Sequence, residues 1–387
     1  MNASPAAPKT TIDWLNVIRL GAFFCLLCCH AADPFNAAVT YGNGAAPVDA
    51  SYPFWGAIWG ALARPCVPLF VMLTGALLLP VKQEMGAFYR KRIPRVLFPF
   101  LIWSVLYNLF PWFTSLVGAD KSVIYDFFVW AQSDNQSLTA CLANIARIPY
   151  HFNPIACHMW YIYLLIGLYL YMPIFSAWVE RASEKQKRFV LLLWLLTTLL
   201  PYLREYVSHY NLGTCEWNEF GMLYYFAGFN GYLLLGHYLR HHTASLGMGR
   251  ALAGALPLFA AGFYVTWQGF VHITALPHAT PEQMELFWTY NSLNVALMSG
   301  ALFVVLQQTR VTSPRLGRLL QNFTLCGFGI YMIHYFFVGP FYRVALSLAI
   351  PVPLIIPFSA LCILVSSWAV VACIKRLLGR KSTILVG

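Results

Sequence analysis

The sequence predicts an all-α, polytopic integral membrane protein with about ten transmembrane helices and both termini in the cytoplasm. Three observations carry that expectation. Hydrophobic residues fill 59% of the 387 positions and charged residues only 10%, too little polar surface to clothe a water-soluble chain. The apolar residues fall in runs that can cross a hydrocarbon core, which takes about 20 residues of helix. The 25 lysines and arginines collect in alternate loops, the asymmetry that orients membrane helices.

Ten apolar segments are centred near residues 21, 69, 104, 167, 195, 230, 261, 298, 334 and 363. The first contains "RLGAFFCLLCCH", residues 19–30. The preceding MNASPAAPKTTI lacks the basic region and cleavage site of a signal peptide, so this helix is expected to stay in place. The second, "RPCVPLFVMLTGALLL", opens on its outer side at Arg64, and the third follows "YRKRIPRVLFP", with a helical start expected at Pro94. An outer stretch from Gly118 to Ile155 then intervenes, too short for an independent catalytic domain. The fourth helix opens with "HMWYIY"; the sixth contains "GYLLLGHYL"; the ninth carries His334 near its middle in "GFGIYMIHYF". This divides the chain into a cytoplasmic tail over 1–11, a single transmembrane domain over 12–375 and a cytoplasmic tail over 376–387. There is no internal repeat or low-complexity tract.

The net charge of +11 could suggest nucleic acid, but its distribution has a simpler cause. With the N-terminus inside, nineteen of the 25 basic residues lie on the cytoplasmic side, in groups such as Lys82, Arg90, Lys91, Arg92 and Arg95, or Lys375, Arg376, Arg380 and Lys381. The outer loops hold most of the acids, among them Asp120, Asp126, Glu205, Glu219 and Glu285. Lipid, not nucleic acid, is the partner such a pattern fits.

The ten cysteines do not form a metal or haem motif. In "CLLCCH" the C-x-x-C-H signature would need a cysteine where Leu26 stands, and no second ligand pair completes a zinc pattern. Cys25, Cys28, Cys29, Cys66, Cys362 and Cys373 lie in or beside apolar runs as small hydrophobes. Cys141, Cys157 and Cys215 lie in or near outer loops, where a pair among them could be oxidised.

Ionisable residues within apolar segments are costly in lipid and mark functional positions. Arg19 and His30 are eleven residues apart, three helical turns plus roughly 20°, so they share one face about 16 Å apart in depth. Singly, each also reads as a snorkelling or interfacial residue. Arg92 and Arg95, with Arg90 upstream, read either as a positive-inside anchor or as guanidinium forks for phosphate. Trp160 fits an interfacial aromatic belt, while His158 lacks that explanation. His334 reads equally as a packing group or as part of a polar path. Arg64 and Arg343 complete the basic residues near the membrane, with no anionic partner visible in the sequence.

The chain resembles the acyltransferase family 3 integral membrane acyltransferases, which include O-acetyltransferases of bacterial surface polysaccharides. Arg19 and His30 match the family's arginine, ten residues, histidine pattern, and Arg92 and Arg95 its arginine, two residues, arginine pattern. The segments beginning at Arg64 and His158 resemble its second and histidine-tryptophan helices, and "GYLLLGHYL" and "GIYMIH" its later markers. Where the family often has an aspartate three residues before the first arginine, this chain has Asn16, with Asp13 displaced. It resembles the stand-alone form, closest to the enterobacterial common antigen type.

The resemblance implies an enzyme of the bacterial inner membrane that moves an acetyl group from cytoplasmic acetyl-CoA to a hydroxyl of a surface polysaccharide or its lipid-linked precursor. No tightly bound cofactor or metal is implied. Arg19, Arg92, Arg95 and Arg90 would hold the donor. His30 would be the catalytic base, or would first carry the acyl group itself. His158, Trp160, His334 and Arg64 would bind acceptor or support the reaction. A secondary transporter using an Arg/His path is the main alternative, and a non-catalytic partner of an assembly complex is a third; no inverted repeat or intramembrane carboxylate favours the transporter.

Overall fold

The computed structural model describes residues 13–36, 50–207, 210–276 and 279–387. Among them the chain is helical, with no strand beyond one isolated bridge between Cys215 and Asn218. All ten predicted segments form helices. Among the described residues eight helical spans are long and apolar enough to cross a membrane, and the segments near 230 and 298 form shorter helices.

The first span is α1 (Asp13–Ala31). Its buried residues include Leu15, Ile18, Ala22, Leu26, Leu27, Cys28, Cys29 and Ala31, which point in all directions around the axis. A helix apolar all round belongs in the interior, and α1 packs against α2 (Ser51–Ala63), α3 (Cys66–Leu78) and four later helices. Three of its cysteines thus pack as core groups, and all ten cysteines are free.

The second span differs from the expected single helix. The stretch "SYPFWGAIW" ahead of Arg64 forms most of α2, and the span breaks at Arg64 and Pro65 before α3 continues it. Proline at 65 cannot donate a backbone hydrogen bond, which is one reason for the break. The third span, α4 (Met85–Leu116), begins nine residues before the expected Pro94. Glu84 caps it, its carboxylate accepting from the Gly86 and Ala87 amides, each at 2.8 Å. Pro94, Pro99 and Pro111 all lie inside this helix, as neighbouring segments in a membrane bundle permit. Arg90, Arg92 and Arg95 therefore all sit within its first three turns, where a start at Pro94 would leave the first two upstream.

The stretch over residues 118–155 contains α5 (Val123–Phe127) and α6 (Leu138–Ala146) and roofs one end of the bundle. Ile124 and Phe128 are fully buried beneath it. Asn153 pins its end: the side-chain oxygen accepts from the Ile155 and Ala156 amides, and the side-chain nitrogen donates to the Ser104 carbonyl at 3.0 Å.

The remaining spans are α7 (Trp160–Arg181), α8 (Glu184–Thr197) with α9 (Leu200–Tyr206), α10 (Asn230–His242), α11 (Met248–Thr274), α12 (Leu293–Gln307), α13 (Pro314–Ile333) with α14 (Val338–Ser347), and α15 (Val352–Leu378). The tightest crossing joins α3 to α10. A Cβ at Gly75 would overlap the Leu233 carbonyl, and one at Gly236 would overlap the Met72 carbonyl. Small residues let membrane helices approach backbone to backbone, where apolar burial gives no net pull in lipid.

The segment set apart as a C-terminal tail is packed. After α15, residues 379–382 turn and α16 (Thr383–Val386) lies against α4 and α13. Trp103 donates to the Leu385 carbonyl at 2.8 Å, and Val386 is fully buried beside Gly329 and Val371.

Candidate active site

The three histidines singled out in the sequence converge, and each stands at an end of a helix. His30 closes α1, His158 lies in the 3-10 turn Cys157–Met159 that leads into α7, and His334 begins a 3-10 segment between α13 and α14. His334 therefore sits at a helix break, not inside a continuous ninth helix. Non-helical backbone at membrane depth is tolerated where protein buries it or a cavity lies beside it. Ring centroids are 5.2 Å apart for His30 and His334, 4.8 Å for His158 and His334, and 6.2 Å for His30 and His158.

A tyrosine shell holds this cluster. Tyr107 of α4 lies 5.4 Å from His158 and donates to the Met332 carbonyl at 2.9 Å. Tyr331 donates to the His158 carbonyl, and Tyr335 packs on His30 and His158 at 5.2 and 4.9 Å. The Tyr335 hydroxyl meets the Cys157 thiol at 3.3 Å, while its ring stacks on Phe128 from the roof. The aromatic packing holds the imidazoles in place by side chains with few rotatable bonds.

The residue that sequence reading missed is Asp33. It follows α1 in a helical turn, as a residue at the end of a span, yet it points inward and is 8% exposed. Its Oδ2 lies 2.9 Å from His30 Nδ1, with only 13% of the histidine side chain and 11% of the aspartate side chain exposed. The signal was the spacing H-A-A-D, because residues three apart are neighbours on a helix.

The hydrogen bonds fix which nitrogens are free. His30 Nδ1–H donates to the Asp33 carboxylate, so in the neutral ring Nε2 carries the lone pair. His334 Nδ1–H donates to the Tyr331 carbonyl at 2.8 Å, leaving Nε2 as an acceptor, and that atom is buried without a partner. Neither nitrogen of His158 makes a hydrogen bond of good geometry, although the Tyr331 and Met332 carbonyls lie close. His30 can thus take a proton, and His158 can present an N–H; neutral His334 cannot donate from Nε2.

Arg64, at the α2–α3 break, is within electrostatic range of Cys29 and His30. Its guanidinium carbon lies 4.1 Å from the Trp288 ring centroid and 5.9 Å from that of Tyr290. Trp160 stacks on Tyr290 at 5.7 Å, so it faces the bundle interior as well as the interface. Arg343, by contrast, pairs with Asp126 of the roof.

Toward the end of the bundle where α1 and α4 begin, Arg19 and Arg92 both lie within electrostatic range of Tyr169 of α7. Arg19 borders a narrow crevice with Leu20, Phe23, Thr324 and Leu364. Arg92 is half-buried with its Nε lacking a partner, whereas Arg90 and Arg95 are exposed. Asn16, in the place of the missing aspartate, accepts from the Thr324 hydroxyl at 3.0 Å and does not serve Arg19; the Asp13 side chain lies outside the described residues. Between Arg19 and His30 the interval is filled by aromatic rings, with Phe23 on Phe70 at 4.9 Å and Phe70 near Tyr161 at 6.3 Å. A cavity of about 500 Å³ lies elsewhere: it is an apolar groove among α8, α10, α11 and α12 lined also by Arg188 and Arg250, and no histidine lines it.

A family model described as an acyltransferase domain matches residues 12–372. No curated protein and no solved structure matches the chain. The match takes in all ten helical segments together with the histidine cluster, Asp33, Arg64 and the arginines of α1 and α4. A multi-pass helical bundle with an aspartate-held imidazole at its centre is thereby joined to a reaction class, and the chain belongs to the acyltransferase family 3 membrane acyltransferases.

Proposed function

We propose that this acyltransferase moves an acetyl group from cytoplasmic acetyl-CoA to a hydroxyl of a surface polysaccharide or its lipid-linked precursor, at the bacterial inner membrane and with both termini inside. The observation that carries the reading is the Asp33–His30 pair. A sugar hydroxyl is a poor nucleophile at neutral pH, and a neutral imidazole with a free Nε2 is suited to take its proton. Asp33 holds the tautomer that leaves Nε2 unprotonated and steadies the imidazolium as it forms, the role an aspartate plays in a serine-histidine-aspartate triad.

The thioester carbonyl gains negative charge as the hydroxyl attacks, and His158 donates an N–H toward it; the carbon–sulfur bond then breaks, and the proton held by His30 passes to the departing CoA thiolate. His334, bonded to the Tyr331 carbonyl through Nδ1, supports the geometry of the cluster. At the cytoplasmic side Arg92 and Arg95, with Arg90 at the periphery, bind the phosphates of acetyl-CoA. Arg19 guides the pantetheine arm upward. The roughly 16 Å from Arg19 to His30 is comparable with the reach of that arm, so the acyl group can be delivered without first residing on the protein. Phe23, Phe70 and Tyr161 are the rings it must pass.

The test is transfer of label from radioactive acetyl-CoA by purified protein supplied with lipid-linked glycan from bacterial membranes. His30→Asn is expected to abolish transfer while leaving acetyl-CoA binding intact. Transfer by that variant at the wild-type rate would refute the assignment, and accumulation of an untransformed solute in proteoliposomes would favour a transporter.

A further inference from the structure

The proposed reaction leaves Arg64 without a defined task. A guanidinium inside a membrane bundle normally faces a counter-charge. On the same side of the bundle, Arg204 pairs with Glu219 and Arg343 with Asp126. Arg64 makes no ion pair or hydrogen bond among the described residues, and its Nε is buried without a partner. Glu285 is within electrostatic range but does not pair with it.

The guanidinium is nonetheless held in place. It lies over Trp288, which is itself stacked on Phe270 at 3.7 Å with 12° between the planes. Tyr290, 5.9 Å from the guanidinium, has its backbone carbonyl bonded by the Tyr232 hydroxyl and its ring stacked on Trp160. Stacking secures a face of the guanidinium and leaves its in-plane N–H groups available, the fork that grips a carboxylate or phosphate bidentately. The Trp160–Tyr290 pair adds aromatic surface of the kind that packs on the apolar side of a sugar ring. His30 is within electrostatic range of this group.

We propose that Arg64 is the anchor of an anionic acceptor subsite, so that the preferred acceptor is a sugar bearing a carboxylate or phosphate close to the hydroxyl presented to His30. This rests on the acyl-transfer reading of the His30 site. Arg64 selects and positions the acceptor; it takes no proton and forms no bond to the acyl group.

The experiment measures binding of glucuronate, glucose 1-phosphate and glucose to detergent-purified protein by calorimetry. At least one of the two anions is expected to bind tighter than glucose by about tenfold or more, the worth of a charge-assisted hydrogen bond. The leading anion tells whether a sugar acid or a glycosyl phosphate is read. Arg64→Gln is expected to bring the three ligands to parity, and Arg64→Lys, a point charge without the fork, to keep part of the preference. Equal binding of all three by the wild-type protein, no binding by any, or a preference that survives Arg64→Gln would overturn the proposal. Should Arg64→Gln not fold, Arg64→Lys decides: a reduced preference supports the fork, an undiminished one refutes it. His30→Asn separates the two readings, since it should keep the anion preference while losing transfer. Retained transfer in that variant would remove the role given to His30 and leave the binding result for Arg64 to be judged by itself.

Discussion

Replacing Asp33 by asparagine probes the proposed catalytic pair most directly. The substitution keeps size and shape but removes the charge that His30 Nδ1–H meets at 2.9 Å. With both side chains nearly closed off from solvent, screening is slight, and a charge-assisted hydrogen bond is worth about 1.5–3 kcal/mol. If that stabilisation is realised only as the imidazolium forms, kcat falls by about 10- to 150-fold, at one decade per 1.36 kcal/mol. Should the amide nitrogen turn toward Nδ1 and drive the proton to Nε2, the base is lost and the fall approaches the roughly 10⁴-fold seen when a triad aspartate becomes asparagine. The assay is release of CoA and of labelled product from acetyl-CoA under saturating donor. KM for acetyl-CoA should be unchanged, because Arg19, the proposed donor residue on the same helix, lies roughly 16 Å along α1 from His30. A kcat within twofold of wild type in a protein with unaltered thermal unfolding would refute the pairing as a catalytic device.

Other outcomes follow from the same geometry. Arg92→Ala should weaken acetyl-CoA binding more than Arg90→Ala, because Arg92 turns toward Tyr169 and Arg90 faces outward; equal effects in a binding titration would contradict a directed donor site. His158→Phe, which preserves the aromatic packing, should lower kcat by about 10²–10³-fold, the range for loss of one oxyanion donor, and an unchanged rate would remove that role. Gly75→Ala or Gly236→Ala should destabilise the α3–α10 crossing by roughly 1–3 kcal/mol, seen as earlier thermal unfolding in detergent. Hydrogen bonds from the Gly86 and Ala87 amides hold the Glu84 carboxyl below the usual glutamate range. Because the folded value is the lower one, this cap contributes fully above the ordinary range and is lost as pH falls through the folded value. Protection of the first-turn amides of α4, taken as exchange rates corrected for the intrinsic pH dependence, should fall on acidification, and Glu84→Gln should abolish that fall.

The sequence by itself determined the class of protein, the ten helical segments and the shared face of Arg19 and His30. These are local quantities: the length of an apolar run and a period of 3.6 residues require no knowledge of neighbours. Helix ends were less legible. Pro94 looked like a start because proline suits a first turn, yet Glu84 caps the helix earlier and the bundle tolerates the proline within it. Asp33 was visible three residues after His30, but only the turn beyond α1 shows that it points inward. The meeting of His30, His158 and His334, the partners of Arg64 and the docking of residues 379–386 were decided by the tertiary structure. In a bilayer every helix is apolar to the lipid, so hydropathy does not say which helices touch. Close approaches such as Gly75 on Leu233 and Gly236 on Met72 set the packing, and the packing brings residues from distant helices to the breaks where the candidate chemistry lies.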